Sequence, residues 1–164
     1  MNSQKSSLEF PHFPVMLSEV IKISSPSKGG LFIDCTFGGG GYSKALLKFP
    51  KTKVIGLDRD NTVIIAAEKL KKKFQNRFQF YQQRFSLIDS VIEKNVDTII
   101  FDLGLSSIQL NNLTRGFSFK SSEKLDMSMG LTSISAQDAI NKLSQENLKL
   151  ILRILGEEKE ASII

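Results

Sequence analysis

The sequence is poor in the residue types that build disulfide frameworks and zinc sites. Its 164 residues include one cysteine, Cys35, and one histidine, His12. A single cysteine excludes an internal disulfide, and one histidine with one cysteine cannot form a zinc-binding cluster. We therefore expect a reducing compartment, no metal site, and a packing role for Cys35 as a small buried residue.

Long apolar runs are also missing. The first ten residues, MNSQKSSLEF, have no apolar stretch after Lys5, and runs such as residues 98–101 are far too short to span a bilayer. We accordingly expect a cytoplasmic protein without a membrane partner. The sequence leaves homodimer formation open.

The composition is that of a globular chain with a mild excess of positive charge. Hydrophobic residues make up 41% and charged residues 24%, and the formal net charge is +5. The length suits one core-forming domain. The positive charge favours an anionic partner, although an excess of this size is common on ordinary proteins.

Short apolar runs alternate with segments of helical spacing through the first hundred residues. We predict helices in residues 12–23, 43–49, 63–74 (with Asp60 as N-cap) and 86–93, and strands over residues 31–35, 53–58, 78–81 and 97–103. Nearly continuous apolar strands separated by helices are typical of a parallel sheet covered on both faces. The predicted fold class is α/β.

The pattern changes after Asp102. Residues 103–130 are polar with scattered aromatics, and helices are predicted over 136–143 and, capped by Ser144, over 146–155. We predict a flexible arm (1–11), a cofactor-binding Rossmann-like half (12–108) and the start of a helical insertion or substrate domain (109–164). Because four parallel strands leave an apolar edge uncovered, we expect the sheet to be incomplete.

Four consecutive glycines, residues 38–41, lie between the first strand and the next helix. Such a turn brings backbone N–H groups close to a ligand. A triphosphate-binding loop requires G-x-x-x-x-G-K-[ST], and Ser43, Lys44 and Ala45 do not supply its last glycine and hydroxyl. The dinucleotide fingerprint G-x-G-x-x-G/A fits poorly, because Ser43 occupies the final position, where the motif has glycine or alanine.

Two acids at strand ends fit a third kind of ligand. Asp34 precedes the glycines and Asp58 closes the second strand. A carboxylate at that second position can accept both hydroxyls of a ribose, while Gly38 and Gly40 let the backbone lie against an amino-acid tail. This arrangement resembles the S-adenosylmethionine site of Rossmann-like methyltransferases, whose sulfonium cofactor is positively charged.

Seven motifs in order make the resemblance more specific. They are HFPVML (12–17), DCTFGGGGYS (34–43), GLDRD (56–60), FDLGLSSIQL (101–110), RGFSF (115–119), LDMSM (125–129) and GEEKEASII (156–164). Together they resemble the bacterial family of 16S ribosomal RNA cytosine-N4 methyltransferases, over about the first half of the family's usual length. The implied function is S-adenosylmethionine-dependent methylation of cytosine N4 in 16S rRNA of the small ribosomal subunit.

The resemblance also implies roles for individual residues. Gly40, Gly41 and Tyr42 would contact the methionine part of the cofactor, and Asp58 its ribose. The remaining cofactor contacts would be Phe85 near the adenine, and Asp102 and Gln109 at the far side of the pocket.

The chemistry suggests further candidates. Asp102, at the end of the fourth strand, is the acid best placed to accept a hydrogen bond from the amine being methylated. A splayed cytosine would be gripped by aromatic and basic groups, which Arg115, Phe117 and Phe119 supply, although both phenylalanines could instead fix the loop to the domain.

Three departures from the family pattern leave alternatives open. Tyr42 replaces the usual histidine of the glycine motif, Ser128 replaces the usual arginine of LDMRM, and the family continues beyond residue 164. The alternatives are a truncated, non-catalytic remnant that at most binds cofactor, and a nicotinamide-dependent oxidoreductase.

Overall fold

A computed structural model describes residues 14–92, 95–130 and 134–164. The predicted arm over residues 1–11, His12, and the predicted end of a helix at Glu93 lie outside these ranges. The chain divides into two compact units, one ending at Ser107 and the other covering Ile108–Ile164. Their assignment as a cofactor-binding half and the start of an insertion remains a prediction.

The first unit is built on a four-stranded parallel sheet. Its strands are β1 (Gly30–Asp34), β2 (Thr52–Asp58), β3 (Phe78–Gln82) and β4 (Thr98–Ile100), in the order β3-β2-β1-β4. This order is that of the first four strands in the Rossmann-type doubly wound sheet. The predicted α/β, Rossmann-like fold is confirmed.

Helices cover one face of this sheet, and side chains from residues 88–92 and 96 pack against the other. The helices are α1 (Leu17–Ser24), α2 (Gly41–Leu46) and α3 (Ile64–Phe74). Successive strand residues point to opposite faces, so Phe32 belongs to one buried cluster with Leu46, while Ile33 belongs to another with Cys35. The packing role of Cys35 is confirmed, and burial raises the pKa of its thiol to about 11, which makes it a poor nucleophile.

Four predicted elements differ from the structure. The first helix begins at Leu17, because the backbone of Met16 is left-handed (φ 52°). The fourth strand has three residues instead of seven. The helix expected over 86–93 is a 3-10 segment, Phe85–Ser90, because Leu87 (φ −107°, ψ 22°) interrupts the helical backbone. Helix α2 ends at Leu46, whose carbonyl accepts a 2.8 Å hydrogen bond from the Thr52 hydroxyl, so the chain turns there before the expected end at 49.

The regular secondary structure described in the second unit is helical. Helix α4 (Ser107–Asn111) begins at the boundary, and α5 (Ala136–Lys142) and α6 (Gln145–Leu155) follow a long loop. Ser144 caps α6 as predicted, its hydroxyl accepting a hydrogen bond from the Asn147 backbone N–H. No helix in the described ranges is long and apolar enough to cross a bilayer.

Candidate cofactor site

The glycine loop, residues 36–40, connects β1 to α2, and two acids fix the loop and the helix that follows it. The Gly38 backbone N–H, at the centre of the loop, donates a 2.8 Å hydrogen bond to Oδ2 of Asp58. In the first turn of α2, the backbone N–H and the hydroxyl of Ser43 donate to Oδ2 of Asp34 at 3.2 and 2.7 Å. Because parallel strands end at one edge of the sheet, both carboxylates come from the edge that faces this loop.

The glycines are required for different reasons. Gly40 has φ +74°, and a Cβ there would lie 2.7 Å from the Phe37 ring. A Cβ at Gly41 would collide with the ring of Pro14. Gly38 has φ +51°, but the nearest atom to its Cβ would be the Thr36 carbonyl oxygen at 3.8 Å. Internal packing therefore explains Gly40 and Gly41, while the space beside Gly38 is open.

Asp34 is buried and only partly satisfied. Its side chain is fully inaccessible, and within the described ranges no hydrogen-bond donor pairs with its Oδ1. Burial raises the pKa of this carboxyl to about 6, against the opposing effects of Ser43 and the Thr36 backbone N–H. A buried carboxylate oxygen without a donor favours a positively charged neighbour.

Asp58 is half-buried and has both oxygens engaged by backbone. Oδ1 accepts a 2.9 Å hydrogen bond from the Asp60 N–H, while Oδ2 accepts from Gly38. Burial raises the pKa of Asp58, and these two hydrogen bonds oppose the shift. The backbone N–H of Arg59 also opposes the shift. A carboxylate has about four acceptor positions, so Asp58 retains an acceptor position for a hydroxyl group. Asp60 caps the following turn, as predicted, by accepting from the Thr62 backbone N–H at 3.0 Å.

Asp102 lies beside the same strand edge. Its backbone N–H donates a 2.8 Å hydrogen bond to the Thr36 hydroxyl, which fixes the chain two residues beyond β4. Tyr42, the second residue of α2, is buried and donates its hydroxyl hydrogen to the Val15 carbonyl. Burial, and then the nearby carboxylates of Asp102 and Asp34, raise the pKa of this phenol.

Two exposed aromatic rings complete the features of the first unit. Phe85 contacts Phe101 edge to face, with ring centroids 5.5 Å apart, and about half of each side chain is accessible. Phe85 follows β3, the neighbour of β2 in the sheet, and Phe101 follows β4, the neighbour of β1. Such rings can pack against a flat heterocycle.

The remaining predicted residues belong to the second unit. Gln109 is buried in α4. Arg115 is also buried, stacks over Phe117 at 5.1 Å, and donates to the carbonyl of Ser128. Because that acceptor is a backbone carbonyl, the departure at position 128 leaves it intact. Phe119 is fully exposed. The roles of all these residues in binding remain predictions.

Sequence reasoning missed two residues that build the loop. The sequence patterns assign Ser43 no role beyond its mismatch with the triphosphate and dinucleotide loops, and they assign none to Thr36. Both have a short hydroxyl side chain next to the glycines, which is the type that hydrogen-bonds to neighbouring backbone and acidic groups. That signal could have identified them.

Comparison with known proteins is consistent with this geometry. A sequence profile of the MraW methylase family matches residues 9–164. Ribosomal RNA small subunit methyltransferase H of Bartonella tribocorum is 44% identical over 153 residues, which are 93% of this chain and 46% of that protein. The protein of the same name from Brucella ovis is 39% identical over 169 residues, covering 99% of this chain and 49% of that protein. The chain therefore spans about half the length of the curated relatives it matches.

A comparison of folds adds a partial match. The C-terminal domain of precorrin-6Y C5,15-methyltransferase from Rhodobacter capsulatus superposes with a TM-score of 0.47 at 16% identity, over 57% of this chain and 50% of that chain. The fold assignment depends on the strand order given above, not on this overlap. Since the family profile extends over nearly the whole sequence, the resemblance seen in its seven motifs is confirmed, and the chain belongs to the MraW methylase family.

Proposed function

We propose that this chain, with residues 12–108 as its cofactor-binding half, carries out the S-adenosylmethionine-dependent methylation of N4 of a cytosine in 16S ribosomal RNA. Membership of a methylase family and the names of the relatives support the reaction type and the RNA. Neither supports the two alternatives, a non-catalytic remnant and a nicotinamide-dependent oxidoreductase. Cytosine N4 as the target atom comes from the motif resemblance.

The observation that supports this cofactor best is the buried Oδ1 of Asp34, for which the described part of the chain supplies no hydrogen-bond donor. Together with Asp58 it places two carboxylates around the glycine loop. Negative groups suit a sulfonium cofactor and oppose a pyrophosphate. Within the first unit, Asp58 would hold the ribose, the backbone at Gly38–Gly41 and Tyr42 the methionine part, and Phe85 the adenine. The bound cofactor would supply a methyl group on a positively charged sulfur, which leaves as a neutral thioether when nitrogen attacks.

Asp102 is the proposed group that acts on the amine. The lone pair of an exocyclic cytosine amine is delocalised into its ring, so a carboxylate that accepts a hydrogen bond from the N–H would localise it toward the methyl group. Thr36 fixes the Asp102 backbone through a 2.8 Å hydrogen bond. Alignment of the reacting groups would supply the larger share of catalysis, on the order of 7–11 kcal/mol for well-oriented reactants.

Phe119 is the proposed contact for the RNA base. Its ring is fully exposed, as a group that stacks on a splayed base must be. Arg115 and Phe117 are buried against each other, and we propose that they support the segment that presents Phe119.

Methylation of RNA with a labelled cofactor tests the proposal. The chain would be incubated with small ribosomal subunits or free 16S rRNA, and the RNA digested to nucleosides. We expect label in N4-methylcytidine, and much less of it at limiting cofactor when the chain carries Asp58→Ala. Label in another nucleoside would contradict the proposed target atom, and cofactor binding without RNA methylation would favour the non-catalytic alternative.

A further inference from the structure

Two segments of the first unit carry the excess positive charge of the chain. Residues 44–53 and 69–77 contain nine cations and no acid; the cations are Lys44, Lys48, Lys51, Lys53, Lys69, Lys71, Lys72, Lys73 and Arg77. Since the whole chain has 22 Lys and Arg, its 17 Asp and Glu outnumber the cations that lie outside these segments. The net charge of +5 is therefore concentrated in one part of the protein.

Arg77 brings the two segments together. Its guanidinium donates hydrogen bonds to the carbonyls of Leu47 at 3.1 Å and Phe49 at 3.0 Å, in the turn between α2 and β2. Arg77 itself lies just beyond the end of α3. The turn that carries Lys48 and Lys51 is therefore fixed beside the end of α3, which carries the second group of lysines.

The lysines around Arg77 are exposed and lack an acid to neutralise them. All eight lysines of the two segments are exposed, and Lys73 and Arg77 both lie against the ring of Phe74, at 5.5 and 5.3 Å from its centroid. Glu68 immediately precedes the second segment, but in the described part of the chain no ion pair joins it to these lysines. Like charges held close together create a positive potential. We name this surface the basic edge, formed by Lys48, Lys51, Lys69, Lys71, Lys72, Lys73 and Arg77.

The basic edge lies at the end of the sheet opposite the glycine loop. Lys51 immediately precedes β2, whereas Asp58 is the last residue of that strand. Strand residues rise about 3.3 Å each, so the two ends of β2 are roughly 20 Å apart. A cofactor bound at the glycine loop would not reach these lysines, which therefore need a different ligand.

We propose that the basic edge binds the phosphate backbone of the RNA substrate, at nucleotides remote from the base that is methylated. This inference rests on the proposed function, which makes the substrate an RNA. Lysine and arginine contacts to phosphates position a nucleic acid without reading its sequence. Lys69, Lys72 and Lys73 are three and four residues apart on the exposed side of α3, which places them side by side and lets them contact neighbouring phosphates of one strand.

An RNA fits the basic edge better than an anionic bilayer does. The apolar side of α3, which includes Ala67 and Leu70, is buried in the core. A helix that lies on a membrane needs its apolar face free to enter the acyl chains. The basic edge therefore offers charge on a helix whose apolar side is already covered, which suits a phosphate backbone.

RNA binding by a charge-neutralised variant tests the proposal. Lys69→Gln, Lys72→Gln and Lys73→Gln would be combined in one chain, since glutamine is a good helix former. Filter binding would measure the affinity for 16S rRNA, and for an unrelated RNA of equal length, over a range of salt concentrations. We expect at least about tenfold weaker binding at about 0.1 M salt, and a salt slope smaller by about 2, because each phosphate contact contributes about 0.7 to that slope. Both RNAs should lose affinity by the same factor, because phosphate contacts do not read sequence.

A second triple variant is the matched control. It combines Lys22→Gln, Lys142→Gln and Lys159→Gln, which remove the same charge at positions outside the basic edge. These lysines lie near acids: Lys142 pairs with Asp138 at 2.6 Å, and Lys159 has a glutamate on each side. We expect this variant to bind RNA like wild type. Equal losses of RNA affinity in the two triple variants would show that only the net charge matters and would overturn the proposal.

Kinetics and vesicle binding distinguish the remaining outcomes. In an active enzyme, the Lys69, Lys72 and Lys73 substitutions should raise KM for RNA and leave kcat and S-adenosylmethionine affinity unchanged. Wild-type RNA affinity in this variant would exclude the basic edge and leave the proposed function standing; if it also lost affinity for phosphatidylserine vesicles, the surface would belong to a membrane contact. If the wild-type chain does not methylate RNA, the proposed function fails, while the comparison of the two triple variants still decides whether the basic edge contacts RNA.

Discussion

Oδ2 of Asp58 accepts a 2.8 Å hydrogen bond from the backbone N–H of Gly38, which ties the end of β2 to the loop that follows β1. Asp34, at the end of β1, fixes the start of α2 by accepting a hydrogen bond from the hydroxyl of Ser43. The two acids therefore have a structural role before any ligand binds, because they fix the loop that would contact it. These hydrogen bonds hold the two proposed cofactor-binding carboxylates in position in the free protein. Ligand binding therefore does not have to order them.

Two alanine substitutions should show which glycine is required by internal packing and which by ligand binding. Gly38 and Gly40 both have positive φ, which costs a residue with a Cβ about 1–2 kcal/mol. Only at Gly40 would the Cβ also collide with Phe37. We expect Gly40→Ala to lower the free energy of unfolding more than Gly38→Ala, as measured by urea denaturation. Gly38→Ala should instead act mainly on S-adenosylmethionine affinity, and equal losses of stability in the two variants would contradict this assignment.

Asp34 should make stability depend on pH in an unusual direction. The pKa of its carboxyl rises from 3.8 to about 6 on folding, chiefly because the group is buried. The folded state therefore binds the proton more tightly, so the stability contributed by protonated Asp34 is present below about pH 4 and is lost as pH rises toward 6. The loss amounts to about 3 kcal/mol, from a shift of this size at 1.36 kcal/mol per unit.

The difference between wild type and Asp34→Asn isolates this contribution. Asp58, whose pKa is also raised, remains in both proteins and changes stability in the same direction. Urea denaturation at pH values on both sides of the window should show that wild type loses stability relative to the variant as pH rises. Asp89→Asn, at an exposed position, is the control. A difference that is constant with pH would show that the Asp34 pKa is not raised.

The regular part of the fold could be read from the sequence because each element has its own local pattern. The strand predicted over 31–35 occupies Gly30–Asp34, and Ser144 caps α6 as expected. The helix predicted over 86–93 was wrong, because the sequence pattern there does not reveal the irregular backbone at Leu87. Hydrophobic periodicity indicates which residues of an element are apolar. It does not indicate the backbone angles of the residues between them.

The candidate site was less predictable than the fold. The sequence indicated that Asp34 and Asp58 lie near the glycines, since strand ends meet at one edge. It could not show that Ser43 and Gly38 already occupy one oxygen of each acid, or that Phe37 explains Gly40. These contacts depend on side-chain packing across several elements, which no local pattern records.

Asp102→Asn should separate cofactor binding from catalysis. Asparagine keeps the shape of the side chain and leaves the backbone hydrogen bond to Thr36 intact, but it is a weaker acceptor for an amine N–H. We expect methylation of 16S rRNA to slow by about 10²-fold, which is typical of a lost general base. S-adenosylmethionine affinity, measured by calorimetry, should change little. Full methylation activity in a variant with normal affinity would remove Asp102 from the mechanism.

Phe119 and Phe117 should differ in what their removal affects. Phe119 is fully exposed, so Phe119→Ala should leave the free energy of unfolding unchanged and weaken RNA binding by about 1–3 kcal/mol, the usual contribution of one stacked base. Phe117 is buried against Arg115, so Phe117→Ala should reduce stability. RNA affinity measured by filter binding, beside thermal denaturation of both variants, checks the pair. Unaltered RNA affinity in Phe119→Ala would contradict the proposed contact.

Calorimetric titration of this chain with S-adenosylmethionine and with NAD tests the central claim most directly. The account predicts binding of S-adenosylmethionine, no binding of NAD, and at least a tenfold loss of S-adenosylmethionine affinity in Asp58→Ala, because each hydrogen bond to a charged group contributes about 1.5–3 kcal/mol. The exposed-site variant Asp89→Ala should bind like wild type. Binding of NAD in preference to S-adenosylmethionine, or undiminished S-adenosylmethionine affinity in Asp58→Ala, would contradict it.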